Sequence, residues 1–198
     1  MSLWGASDSD ESKPKNLTTA EKKEVFANTK GWVREAGSAS SGNDNTSADE
    51  EVLVAIGGLS AALGAADITQ IEFISTTFDK SDGGTLSARV RFNEPVAVVT
   101  TGGTPTLAVT NGNQGSGSGR GPHALAYASG TGTNELVFSL AIGAANSATN
   151  ADDVLTIGEN ALALNSGTIK DVATSTTNAT ITNSADIGTA AGSITVTA

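Results

Sequence analysis

The sequence predicts an all-β protein: an immunoglobulin-like β-sandwich preceded by an extended N-terminal arm that contains one short helix. Three observations carry the prediction. From residue 68 onward apolar and polar residues alternate with a period of two, as in Leu86, Ala88, Val90 and Phe92 against Ser87, Arg89, Arg91 and Asn93. Turn signals separate these runs, among them Ser81-Asp82-Gly83-Gly84, Asn111-Gly112 and Asn165-Ser166-Gly167. Aromatics are only 4% and glycines number 23, so the core must be built from small and β-branched side chains.

Residues 1–66 read as the arm. Residues 1–15 are polar except for Leu3 and Trp4, and a tryptophan in a polar tail is costly to leave in water. Thr18 and Glu21 have capping-box spacing, which predicts a short helix over about 19–28 with Val25 and Phe26 on one side. Gly31-Trp32-Val33-Arg34 reads as a short extended piece, and residues 36–49 as a flexible connector by composition. Residues 51–59 read as a strand and a glycine bend, suited to pairing with a sheet edge. One helix and one strand do not enclose a core, so the arm is expected to become ordered only against neighbouring subunits. The expected partner-binding residues are Leu3, Trp4, Phe26, Trp32, Val33, Val52, Val54 and Ile56.

Residues 67–198 read as the sandwich. Its strands are expected at 68–73, within 84–96 and 103–109, and within 126–138 and 161–171. Further apolar alternation marks Leu136, Phe138 and Leu140, and then Ile194 and Val196. About eight strands divided by turns suit a sandwich better than any helical class.

Charge and residue usage narrow the functional classes. The net charge is −10 with ten acids and six bases in residues 1–66, and eleven acids and five bases beyond, so a nucleic-acid partner is not expected. Without cysteine there is neither a disulfide nor a thiolate metal site. A single histidine, His123, has no serine elbow near it, and catalysis is not expected. The Gly-rich stretch 112–121 lacks the Gly-Lys-Ser/Thr ending of a phosphate loop and reads as a surface hairpin. Asp82, Glu94, Asp152, Asp153 and Asp171 are the oxygen donors best placed for Ca²⁺, but scattered acids at turns are ordinary, so no metal or cofactor is expected. Arg89 and Arg91 face outward, free to pair with Glu72 or Glu94 or to meet an acidic partner. The N-terminus lacks signal-peptide character and the longest apolar run, 52–66, is too short to cross a bilayer, which points to a soluble chain made in a cytoplasm.

Residues 68–171 contain an ordered series of phrases. Ile68-Thr69-Gln70-Ile71-Glu72-Phe73 is followed by Gly84-Thr85-Leu86, Val90-Arg91-Phe92-Asn93-Glu94-Pro95-Val96 and Gly103-Thr104-Pro105-Thr106-Leu107. Then come Tyr127-Ala128-Ser129-Gly130-Thr131-Gly132-Thr133 and Ala161-Leu162-Ala163-Leu164-Asn165-Ser166-Gly167-Thr168-Ile169-Lys170-Asp171. This series resembles the SwmB-type, cadherin-like bacterial Ig-like repeat of large cyanobacterial surface proteins. The sequence departs from that pattern after Phe138. Where the family often has Gly-Asp-x-x-x-Asp-Leu, residues 145–154 lack the phrase, so the resemblance does not carry calcium binding over to this chain.

The arm phrases are Met1-Ser2-Leu3-Trp4-Gly5, Lys13-Pro14-Lys15-Asn16-Leu17-Thr18-Thr19-Ala20-Glu21, Gly31-Trp32-Val33 and Glu51-Val52-Leu53-Val54. They resemble the start of virion structural proteins from tailed phages of marine cyanobacteria. The two resemblances imply a capsid decoration or cement protein, held by its arm to other virion proteins such as the major capsid protein. The Ig-like domain would then be displayed where it can meet a host surface. The alternatives are a neck, tail or fibre-associated protein, and a cell-surface or carbohydrate-binding module using loops 111–121 and 129–134. Few aromatics near those loops speak against sugar stacking.

Overall fold

The computed structural model describes residues 14–55, 64–112, 123–144 and 149–198. At its N-terminal end Thr18 and Glu21 make the expected reciprocal cap: Glu21 Oε2 accepts from the Thr18 amide at 2.8 Å, and Thr18 Oγ1 accepts from the Glu21 amide at 3.3 Å. The helix predicted over 19–28 does not follow. A single 3-10 turn, Glu21–Lys23, gives way to strand β1 (Val25–Asn28), which is joined to β2 (Gly31–Arg34) by the two-residue loop Thr29-Lys30. Burial decides against the helix. Val25 and Ala27 point inward at a period of two, and helical turns would swing one of them into solvent. The hairpin is fixed by Asn28 Oδ1, which accepts from the Lys30 amide at 2.8 Å, and by Gly31. Gly31 has φ +130°, and a Cβ there would lie 2.0 Å from the Val54 carbonyl oxygen.

Strand β3 (Glu51–Ala55) pairs antiparallel with β2, completing a three-stranded sheet in the order β1-β2-β3. This corrects the extended arm of the sequence reading. Val25, Ala27 and Trp32 form a small core of their own, with Leu17, Leu53 and Val54 packed against it. The connector over 36–49 is likewise tied down. Glu24 accepts from the amides of Ala39 and Ser40 at 3.2 and 3.1 Å and from the Ser40 hydroxyl, and Arg34 Nη1 donates to the Ser40 carbonyl at 2.9 Å.

The rest is an all-β sandwich with one short helix. Its strands are β4 (Ile68–Phe73), β5 (Phe78–Asp79), β6 (Gly84–Val99), β7 (Thr106–Gly112), β8 (His123–Ser129), β9 (Thr133–Ile142), β10 (Val154–Thr156), β11 (Leu162–Ala163), β12 (Thr168–Asp171) and β13 (Ser193–Thr197). Helix α1 (Ala185–Ala190) precedes β13. The ladder runs β12-β6-β9-β8-β7-β10-β13-β5, with β4 also on β6 and β11 on β7. Pairing is antiparallel except between β13 and β5. The curled sheet closes over one core, in which Leu86, Val90, Leu107, Leu125, Leu136, Phe138 and Leu155 are fully buried.

The sixteen-residue β6 organises the fold. One edge pairs with β4 up to Phe92 and then with β12 from Val96, and the register on β9 shifts between Arg91 and Val96. Pro95 lies inside that break, where the missing amide costs no ladder bond. Helix α1 falls in a stretch to which the sequence reading assigned no element, and Ser184 caps it by accepting from the Ile187 amide at 3.4 Å.

Candidate functional site

The outer, polar face of β6 is where the two sheets of the molecule meet. Arg89 and Arg91 lie there because they alternate with the core residues Ala88, Val90 and Phe92. Strand β4 brings Glu72 alongside and β9 brings Glu135, each directly across from an arginine in register. Arg91 is only 2% exposed. Its Nε donates to Glu135 at 2.9 Å, and its Nη1 donates to Glu72 at 2.9 Å and Gln70 at 3.0 Å. Arg89 adds longer ion pairs of 3.5 Å to Glu72 and 3.7 Å to Glu135.

This face does not look into solvent, as the sequence reading had it. The N-terminal segment lies over it: Arg91 Nη2 donates to the Thr19 carbonyl at 3.3 Å, while Lys22 and Lys23 approach Glu72 and Glu135 at 3.8 and 3.7 Å. Asn134 Nδ2 donates to the carbonyls of Lys22 and Val25, at 3.2 and 3.0 Å. Beside the network a cavity of about 220 Å³ is lined by Pro14, Leu17, Val25, Trp32, Arg91 and Phe92, among others. The arginines pair with Glu72 and Glu135, while Glu94, the other acid offered as their partner, lines a different cavity.

A second cavity, of about 310 Å³, opens further along the same seam. The β1–β2 hairpin contributes Phe26 to Thr29, β6 contributes Glu94 and Pro95, and Asp171 to Thr174 close it together with Glu50. Asp171 is spent on its own turn, accepting from the amides of Ala173 and Thr174 at 2.6 and 3.3 Å and from the Thr174 hydroxyl at 3.0 Å. Burial pushes the Glu94 carboxyl up to about 8, and the acids Asp171 and Asp67 nearby add to the shift.

The expected partner-binding residues divide into three groups. Leu3, Trp4 and Ile56 lie outside the described residues. Trp32 and Val33 are buried at 4% and 0% within their own chain, and Phe26 is half-buried and lines the cavity beside Glu94. Val52 is 43% exposed, and Val54 is half-buried against the small core. Strand β3 pairs with β2 on one side only, and among the described residues no strand covers its other edge.

The remaining candidates are dispersed. His123 is buried with its Nε2 3.1 Å from the Thr149 hydroxyl, and burial holds its pKa below the usual histidine range although Asp153 opposes the shift. Asp153 is fully buried and accepts from the Asn150 amide at 2.7 Å. Asp82 is exposed at a turn, where its amide donates to Asp79 Oδ1 at 3.4 Å, and Asp152 has φ +64°. Residues 113–122 of the Gly-rich loop lie outside the described residues. Among the described residues no three His, Asp or Glu side chains converge in a geometry able to hold a metal ion, and no helix is long and apolar enough to cross a membrane. Sequence reasoning missed Glu135 and Asn134, although Thr133-Asn134-Glu135 follows the Gly130-Thr131-Gly132 turn and so had to sit at the head of a strand. Comparison with known protein families, characterised proteins and solved structures gives no match in any of the three.

Proposed function

We propose that the chain is a structural protein of a phage virion, acting as a capsid decoration or cement protein. Its N-terminal sheet makes the attachment and its sandwich is displayed. The observation that carries this reading is the one-sided pairing of β3, where Glu51, Val52 and Ala55 remain exposed on a strand with a vacant ladder edge among the described residues. Such an edge accepts a strand from a neighbouring subunit through backbone hydrogen bonds, and a permanent particle gains from contacts of that kind. The sandwich supports the reading as a carrier, since Arg89 and Arg91 are taken up by ion pairs and Asp79 and Asp171 by their own turns. The resemblance of the arm phrases to virion proteins supplies the biological setting.

The test is incorporation. The double variant V52K/A55K changes two exposed side chains of β3 and spares the Arg34–Glu51 ion pair to β2, so it is expected to fold normally. Its copy number in purified particles, measured by quantitative mass spectrometry, is expected to fall at least tenfold. Normal incorporation would remove the β3 edge as the attachment element. Copy number also separates positions, because hundreds per particle fit a capsid lattice and a dozen fit the neck or a vertex.

A further inference from the structure

The seam holds one ionisable group that the attachment reading does not use. Glu94 is 4% exposed, and its Oε1 has no hydrogen-bond partner. Every charged neighbour that bears on it is of the wrong sign to hold an anion. Asp171 faces it from the end of β12 and Asp67 from the segment leading into β4, while Glu50 lines the same cavity from the N-terminal sheet, already paired to Lys30 at 3.0 Å. A carboxylate without donors, out of water and beside other acids, is unfavourable, so a proton on Glu94 is the condition under which this packing is stable. Phe26 to Thr29 of the N-terminal sheet form one wall of the cavity, and lifting that wall would hydrate Glu94 and release the proton.

We propose that the seam between the N-terminal sheet and the sandwich is a proton-dependent latch, closed with Glu94 protonated and progressively weakened as the proton is withdrawn. The latch stands whether or not the chain belongs to a virion. Its direction follows from linkage. The docked state holds Glu94 with a pKa of about 8. Lifting the N-terminal sheet rehydrates the carboxyl while Asp171 and Asp67 stay beside it, so the open-state value lies above the ordinary 4.5 and below the docked one. Between the two the docked state binds more protons. The ratio of closed to open molecules therefore falls by up to tenfold for each pH unit across that window, and levels off above about 8.

The experiment is amide hydrogen exchange on the full chain from pH 5.5 to 9, corrected for the intrinsic pH dependence of exchange. Protection at Val25–Asn28 is expected to fall up to tenfold per unit until about pH 8 and then flatten, while the β9 amides around Leu136 and Phe138 stay unchanged. E94Q is expected to abolish the slope. A ¹³C chemical-shift titration of the Glu94 carboxyl in the unmodified protein gives the same answer without relying on that variant. A midpoint in the ordinary carboxylate range would overturn the latch, as would equal slopes in both proteins. A slope that vanishes in 5 mM Ca²⁺ would also overturn it, by making the acids a cation site.

Discussion

Replacing Arg91 with methionine tests whether the network on β6 fastens the two sheets together. Arg91 is 2% exposed and donates to Glu135, Glu72, Gln70 and the Thr19 carbonyl, so its loss strands two carboxylates under the N-terminal segment. Breaking a buried pair by removing one partner costs about 3–5 kcal/mol, because the remaining charge stays desolvated. Arg89 at 3.5 and 3.7 Å compensates in part, and the Glu72 side chain is 22% exposed, which places the expected loss near the lower end, at about 3 kcal/mol. With a urea m-value of about 2 kcal/mol per molar, the unfolding midpoint falls by roughly 1.5 M. The assay is urea unfolding followed by tryptophan fluorescence in a W4F background, where buried Trp32 reports on the N-terminal sheet. The quadruple variant R89M/R91M/E72Q/E135Q removes both carboxylates together with Arg89, which would otherwise be stranded in its turn, and is expected to recover most of the loss. A loss for R91M below about 1 kcal/mol would refute the reasoning, since that is the worth of an exposed pair.

Two further outcomes are expected from the same geometry. Gly130→Ala places a Cβ 2.0 Å from the Glu135 carbonyl oxygen at φ +109°, so the β8–β9 turn must shift and stability falls by about 1–3 kcal/mol, read from thermal unfolding. The Glu24 carboxyl is held below its ordinary value of 4.5 by the Ser40 hydroxyl and by the amides of Ser40 and Ala39. Its contribution is present above that value and is lost as pH falls through the lower folded one, so exchange protection at Ala39 and Ser40 should drop in acid; a drop that persists in E24Q would assign the effect elsewhere.

Much of the sandwich was legible because a half-buried strand must alternate, and Leu86 to Phe92, Leu136 to Leu140 and Ile194 to Val196 do so. The helix over 19–28 was misread for an instructive reason. Glu21, Lys22 and Lys23 favour a helix locally and the cap forms, but the burial of Val25 and Ala27 beside β6 outweighs propensity after one turn. The clue was Gly31, whose position suits a hairpin closing rather than the end of a connector. The buried roles of Trp32 and Val33 were illegible for the same reason. A side chain too costly to leave in water looks identical in sequence whether it awaits a partner subunit or its own chain.

By itself the sequence determined the all-β class, the inward faces of Leu86–Phe92, Leu136–Leu140 and Ile194–Val196, and the turns at Gly83, Gly130 and Asn165, because these depend on neighbours one to four residues apart. Only the tertiary structure decided what covers the outward faces. Arg91 finds Glu72 nineteen residues away and Glu135 forty-four residues away, and Asn134 reaches Val25 across 109 residues. No local pattern encodes such pairings, since they arise from the order in which strands join the sheet. The same holds for Glu94, whose carboxyl is pushed up first by burial and then by Asp171 and Asp67, brought beside it when β12 and β4 take successive stretches of one edge of β6.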